Sequence, residues 1–289
     1  FYLLAIWALS LFLANIVQPR AGAWWQRARF LVNYVNKNLY QQLLFFILPI
    51  YYLSATWGAG NMLFVLLLAV SALLATMDIV YDRYLSVNGR LLAVFFAFNL
   101  FACFNVMLPV VWNFKNSFAL RLSALLALAA FVSFSLTLPG VKNRDRLRLI
   151  LAAALLLAAL AEIGRPLIPP APLRIVESGF SLEWSEPNKR LGAMLGELPA
   201  GGPVKIYALS SIQAPLGLKD RVGHRWYLDG KRIYASPWVR LSGGRKNGFR
   251  LWTYRTLTSI RPGSRLRVDV RTEAGQLIGR ARLRRGRGR

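Results

Sequence analysis

Apolar residues in this chain come in runs about as long as a bilayer is thick, and they are confined to the first 170 positions. A helix of roughly 20 apolar residues crosses a hydrocarbon core of about 30 Å. Runs at 1–17, 39–57, 61–77, 91–112, 122–139 and 149–168 reach or approach that length, bounded by charge or turn residues. They predict an α-helical transmembrane bundle of about six helices over residues 1–168. The first run begins at Phe1 without a Met and shows no cleavage site, which reads against a signal peptide and predicts upstream sequence, with room for one more helix.

Charge patterning sets an orientation. Short loops rich in Lys and Arg stay cytoplasmic, whereas long domains hardly bias the outcome. Loops 18–38, 78–90 and 140–148 carry four, two and four basic residues; residues 58–60 carry none and 113–121 only Lys115 and Arg121. The first set is expected inside, and everything after the sixth helix outside, which in a bacterial inner membrane is the periplasm. Trp24, Ala28, Leu31 and Val35 follow helical spacing, so the 18–38 segment can lie in the membrane interface through Trp24, Trp25, Arg27 and Arg29, or pack on the bundle. Charge at bilayer depth would mark a path for ions or substrates. The candidates are Asn99, Asn105 and the Glu162–Arg165 pair, and the side-chain amides read first as interhelical glue.

With one His and one Cys among 289 residues, zinc sites, Cys–His pairs and Ser–His–Asp triads are poorly supported. His224 stands beside Arg225 without a positioned nucleophile and reads as a hydrogen-bonded surface or edge histidine, and Cys103 can form no disulfide within the chain. Asp220, Asp269 and Glu273 are expected on turns or an exposed face. No metal, cofactor or catalytic set is expected.

Pro166, Pro169, Pro170 and Pro172 predict a stiff spacer holding the C-terminal domain away from the bilayer. The Pro-rich linker and irregular segment is placed at 169–202, a β domain at 203–284 and a basic tail at 285–289. From residue 203 apolar residues alternate, Asp229-Gly230 signals a two-residue hairpin, and six or seven short strands predict a small all-β, immunoglobulin-like antiparallel sandwich. Its Trp226, Trp252 and Tyr254 are expected to be core. In the last hairpin Leu266, Val268 and Val270 alternate with Arg265, Arg267, Asp269 and Arg271, and Arg280, Arg282 and Arg284 share one side of the return strand. A symmetric turn sets Arg267 against Arg280 and Arg265 against Arg282, each pair costing about 0.2–1 kcal/mol. Such a face is either a solvated surface or a binder of phosphate or carboxylate groups through Arg265, Arg267, Arg280, Arg282 and Arg284, aided by Arg285, Arg287 and Arg289.

The segments Tyr207-Ala208-Leu209-Ser210-Ser211-Ile212, Ala214-Pro215-Leu216-Gly217-Leu218-Lys219, His224-Arg225-Trp226, Gly248-Phe249-Arg250-Leu251-Trp252 and Val268-Asp269-Val270-Arg271-Thr272-Glu273 resemble a bacterial domain-of-unknown-function family, numbered twenty-nine-fourteen. The membrane half resembles the companion region that often precedes it. The resemblance implies a bacterial membrane protein with a C-terminal β domain and brings no catalytic assignment.

The sequence thus predicts a membrane-anchored, non-enzymatic interaction or accessory subunit whose basic periplasmic domain binds an anionic partner. Membrane lipids, an envelope polymer and acidic surfaces of other membrane or envelope proteins all fit, whereas nucleic acid does not suit a periplasmic domain. The alternative is a membrane enzyme or transporter for a lipid-linked or small substrate.

Overall fold

The computed structural model describes residues 41–85, 87–136, 142–185, 190–199, 203–258, 260–261 and 263–284. The expected first helix, the interfacial residues Trp24, Trp25, Arg27 and Arg29, and the tail carrying Arg285, Arg287 and Arg289 lie outside them.

Among the described residues six helices precede the strands: α1 (Gln41–Ser54), α2 (Met62–Thr76), the short α3 (Asp78–Val80), α4 (Gly89–Trp112), α5 (Asn116–Leu136) and α6 (Asn143–Glu162). Among the described residues, α4 and α5 are the helices both long and apolar enough to cross a membrane. The expected helix at 149–168 instead starts at Asn143, takes in Arg144, Asp145, Arg146 and Arg148, and stops at Glu162. The loop expected at 78–90 is largely helical, through α3 and a wide turn over Tyr81–Leu85. Leu44, Ile47, Leu68, Phe101, Val106 and Leu120 pack between the helices, while Leu63, Leu66, Leu67, Val70, Leu151, Leu155 and Leu156 point outward. Apolar side chains on the outward side as well as in the core are what a lipid solvent favours.

The proline segment is no strut. Residues Arg165–Leu167 make one 3-10 turn, and Ile168, Pro169, Pro170 and Ala171 are buried. Ile168 and Ala171 join the bundle core because they are apolar and next to it. The β region therefore sits directly on the helix ends.

Its strands are β1 (Arg174–Ser181), β2 (Trp184–Ser185), β3 (Arg190–Leu191), β4 (Val204–Gln213), β5 (Arg221–Leu228), β6 (Lys231–Ala235), β7 (Val239–Arg240), β8 (Phe249–Leu257), β9 (Arg265–Thr272) and β10 (Leu277–Arg284). An antiparallel three-stranded sheet, β1-β4-β8, packs on a five-stranded one ordered β10-β9-β5-β6 with β7 on β5; the two do not close. The segment expected to be linker thus supplies β1, paired along β4 from Arg174 opposite Gln213 to Ser181 opposite Tyr207. The Asp229-Gly230 turn is as expected, with both residues at positive φ. The Asp229 carboxylate accepts from Ser264 Oγ and the Arg265 amide, tying this turn to β9.

Two apolar clusters fill the sandwich, one around Phe180, Ile206, Trp226 and Leu266, the other around Leu173, Ile212, Val222 and Val270. A polar bridge separates them. His224 is fully buried, not at a surface or edge; its Nδ1 lies 2.8 Å from Thr253 Oγ1 and its Nε2 3.1 Å from Ser210 Oγ. Trp226 Nε1 donates to the same Thr253 hydroxyl at 2.9 Å. Burial, with the Arg225 charge adding to it, pushes His224 down to about 3, so the imidazole is neutral and ties one sheet to the other.

Candidate anion-binding face

Strand alternation carries Arg265, Arg267, Asp269 and Arg271 to the outer face of the five-stranded sheet. On β10 the same face receives Arg280, Arg282 and Arg284. The neighbouring β5 adds Arg221, Arg225 and Tyr227, and β6 adds Arg232. All five predicted arginines therefore meet on one surface, and Arg271, Arg221, Arg225 and Arg232 join them.

The register differs from the symmetric hairpin. An irregularity between Leu277 and Gly279 sets Arg280 opposite Asp269, Arg282 opposite Arg267 and Arg284 opposite Arg265. Gly279 stands where β10 crosses β1: a Cβ there would run into Ile175 Cγ1, so a side chain would push the sheets apart.

Asp269, expected to be exposed, is 0% exposed and is the hub of the face. Arg280 donates to it from Nε at 2.6 Å and Nη2 at 3.1 Å. Arg271 Nη2 lies 3.4 Å and Arg267 Nε 3.5 Å from its oxygens. A buried carboxylate is tolerated only when charge and hydrogen bonds compensate it, and three guanidinium groups around one carboxylate leave the cluster positive. Aromatic rings lie under one of these and under one neighbour on the face: Arg267 lies 4.1 Å from the centre of Tyr227, and Arg225, which makes no ion pair with Asp269, 3.9 Å from that of Trp238. Arg225 also donates to the carbonyls of His224 and Ser236. Burial, reinforced by neighbouring Arg232, holds Arg225 below the ordinary arginine range. Arg280, 13% exposed along its side chain, is committed to Asp269; Arg265, Arg282 and Arg284 are exposed and have no ion pair among the described residues. Chemically, this is a set of pre-positioned planar donors suited to phosphate or carboxylate oxygens.

The opposite outer face, on β1-β4-β8, is different. Trp184 on β2 stacks on Trp252 with ring centres 4.5 Å apart, and Tyr207 and Tyr254 continue the row at 5.6 Å. Lys205 lies 4.3 Å from the Tyr254 ring. Trp252 and Tyr254, expected in the core, are on this face; Trp226 is the tryptophan that fills the core. Next to the row is a groove of about 500 Å³ lined by residues including Glu177, Met194, Leu209 and Lys246.

The sandwich meets the bundle through polar bonds. Asn61 Nδ2 donates to the Leu277 carbonyl at 3.1 Å and Gln276 Nε2 to that of Ile168 at 3.2 Å. Asp220, only 4% exposed, accepts from the Asn116 amide at the start of α5, capping that helix from another part of the chain. Burial raises Asp220 to about 6, against the pull of the Asn116 amide and Lys115.

The intramembrane candidates do not converge. Asn99 accepts from Ser71 Oγ at 2.7 Å, joining α2 to α4, and Asn105 donates to the Tyr51 hydroxyl at 2.9 Å, joining α1 to α4. Glu162 pairs with Arg165, and Arg121 Nε donates to it at 2.6 Å, an exposed tie between α5 and α6 at the helix ends. Among the described residues, no three His, Cys, Asp or Glu side chains cluster at metal-ligand spacing.

Compared with known families, residues 1–201 match a family model described as a family of unknown function (DUF5924). The chain belongs to that family. Residues 219–284 match a second, described as a protein of unknown function (DUF2914), as the motifs at the C-terminal end suggested. No curated protein matches the chain at a significant level. The first match ends after β3 and the second begins after β4, so the three-stranded sheet draws β1 from one span, β8 from the other and β4 from between them. DUF5924 and DUF2914 here share one sandwich.

Proposed function

We propose that this protein is a membrane-anchored, non-enzymatic accessory subunit of the bacterial inner membrane, with its immunoglobulin-like β domain in the periplasm binding anionic groups. The carrying observation is the arginine face: nine arginines from β5, β6, β9 and β10 share one sheet surface, and three of them, Arg267, Arg271 and Arg280, surround the buried carboxylate of Asp269. A solvated face needs no ordered guanidinium groups, whereas anion recognition gains from donors already in place. The bundle suits an anchor, since its deep amides are spent on interhelical bonds. The loops at 55–61 and 113–115, which touch the β domain, are poor in basic residues, and the opposite end carries Arg83, Arg90, Lys142, Arg144, Arg146 and Arg148, a distribution that supports the periplasmic assignment.

Binding is tested with the full chain in neutral phosphatidylcholine nanodiscs, using soluble polyphosphate as the probe over a salt series. Binding should weaken as salt rises and fall several-fold in an Arg265→Ala/Arg284→Ala double variant. Binding that ignores both salt and the substitutions would leave the face as a solvated surface. For the compartment, a cysteine replacing exposed Ser242 should react with an impermeant maleimide in intact spheroplasts, above the background of buried Cys103. Labelling only after the inner membrane is broken would reverse the orientation.

A further inference from the structure

The arginine face has an edge that lies against the bundle, and that edge specifies the source of its anions. Strand β10 runs past the loop joining α1 to α2. Its Leu277 carbonyl accepts from Asn61, and further along the strand Arg282 Nη2 ends 3.8 Å from where a Cβ on Gly58 would stand. Arg282 faces Arg267 across the strands, and its side chain makes no ion pair or hydrogen bond among the described residues. Beside Gly58 is Trp57, 68% exposed, with Tyr52 edge-on to it at 5.7 Å. At the same end of the bundle Trp112 stacks on Phe114, which meets exposed Phe118 edge-on at 5.1 Å. Two clusters of aromatic rings at one helix end, next to helices with outward leucines, mark the depth at which lipid headgroups sit.

We infer that Arg282, together with Trp57 next to Gly58 in the facing loop, forms a headgroup site for an anionic phospholipid at the junction of the α1–α2 loop and the sandwich. An exposed guanidinium fork at headgroup depth, facing another arginine and without a carboxylate of its own, suits a phosphodiester oxygen pair. Gly58 puts no side chain between the guanidinium and the loop, and the Trp57 ring supplies an apolar body for the glycerol and upper acyl region with a polar edge toward water. The site rests on the anion-binding reading of the face and narrows it to a lipid. A free phosphate in the periplasm offers the same oxygens but gains nothing from Trp57, and this separates the two sources.

The experiment uses the full chain in nanodiscs of phosphatidylcholine with a graded fraction of phosphatidylglycerol, reading retained lipid by native mass spectrometry. A second arm adds inorganic phosphate to the chain in pure phosphatidylcholine. Wild type should retain phosphatidylglycerol in preference to phosphatidylcholine, and Arg282→Gln should reduce that preference about fivefold, the size expected for one basic group at an anionic bilayer. Trp57→Ala should reduce it as well, Arg282→Lys should restore part of it, and Lys246→Ala, at the groove on the opposite face of the sandwich, should leave it unchanged. An unchanged melting temperature for Arg282→Gln establishes that the change is in binding. Equal retention by wild type and Arg282→Gln overturns the lipid site, as does tight capture of inorganic phosphate that Trp57→Ala does not alter. If polyphosphate binding in neutral nanodiscs persists while phosphatidylglycerol preference is absent, the lipid site falls and the anion-binding face stands. Loss of both removes both.

Discussion

The two outer faces of the sandwich share one core yet solve the problem of exposed sheet surface in opposite ways. On the three-stranded sheet Trp184, Tyr207, Trp252 and Tyr254 pack on one another, and the short β2–β3 hairpin contributes to their cover. On the five-stranded sheet like charges stand opposite each other, Arg282 to Arg267 and Arg284 to Arg265, and of these four only Arg267 is drawn to the Asp269 carboxylate and the Tyr227 ring. The aromatic face spends its side chains on itself. The arginine face leaves Arg265, Arg282 and Arg284 exposed and without an ion pair among the described residues, and that difference makes the binding proposed for it separable by mutation from the packing of the other face.

The sharpest way to break the contrast is Asp269→Asn. Removing the one charge that three arginines surround should cost about 3–5 kcal/mol, as for other buried ion pairs that lose a partner. Thermal unfolding of the full chain in detergent, followed by tryptophan fluorescence, reads it; an unchanged midpoint would mean that Asp269 does not organise the face.

Acid should loosen both faces together, because His224 joins the sheets beneath them. Its folded value of about 3 lies below the ordinary 6.5, so between those limits the unfolded chain takes up a proton that the folded one refuses. Stability contributed by the neutral ring is complete above pH 6.5 and falls with acid by up to about 1.4 kcal/mol per pH unit. Asp220 acts with the opposite sign: raised from 3.8 to about 6, it favours the folded state below 3.8 and loses that contribution as pH rises through 6. His224→Gln should therefore flatten the acid limb of a stability–pH curve between pH 6 and 4.5, and an unaltered slope there would assign the acid sensitivity to other groups.

Trp252→Ala sharpens the contrast from the other side. Losing a half-buried stacked ring should cost about 2 kcal/mol while leaving polyphosphate binding untouched. A parallel loss of binding would show that the two faces are coupled through the core. The smallest effect is expected from Tyr227→Leu, which removes the ring under Arg267: about 0.5–1 kcal/mol in stability, with a measurable weakening of anion binding because the guanidinium is no longer held. Unchanged binding would assign that ring to packing alone.

Much of this architecture is legible in the residues. Period-two alternation gives the strands from Val204 onward, Asp229-Gly230 gives its turn, and the arginines of the last hairpin share one side as their spacing requires. What alternation cannot report is what lies above a face. It assigns Asp269 to the outer side correctly, but the burial of that carboxylate comes from long neighbouring side chains folding over it. Register is hidden for a related reason: one extra residue near Ile278 changes every opposition beyond it, and nothing in the local composition signals that irregularity. Strand β1 is masked by polar residues in a strand half exposed along its length. Proline stiffness alone predicts a spacer, whereas the apolar Ile168 and Ala171 among the prolines decide that the segment is buried.

The dock also has a consequence for the order in which the protein can be completed. Asn61 sits in the loop that closes the first described pair of helices, and its carbonyl partner on Leu277 is synthesised 216 residues later. Asn116, at the head of α5, waits 104 residues for the Asp220 carboxylate. During biogenesis that end of the bundle therefore carries open polar groups until the final hairpin has folded back onto it. A chain interrupted before β10 would display an unfinished helix end, a local mark by which surveillance proteases could tell a partial product from a complete one.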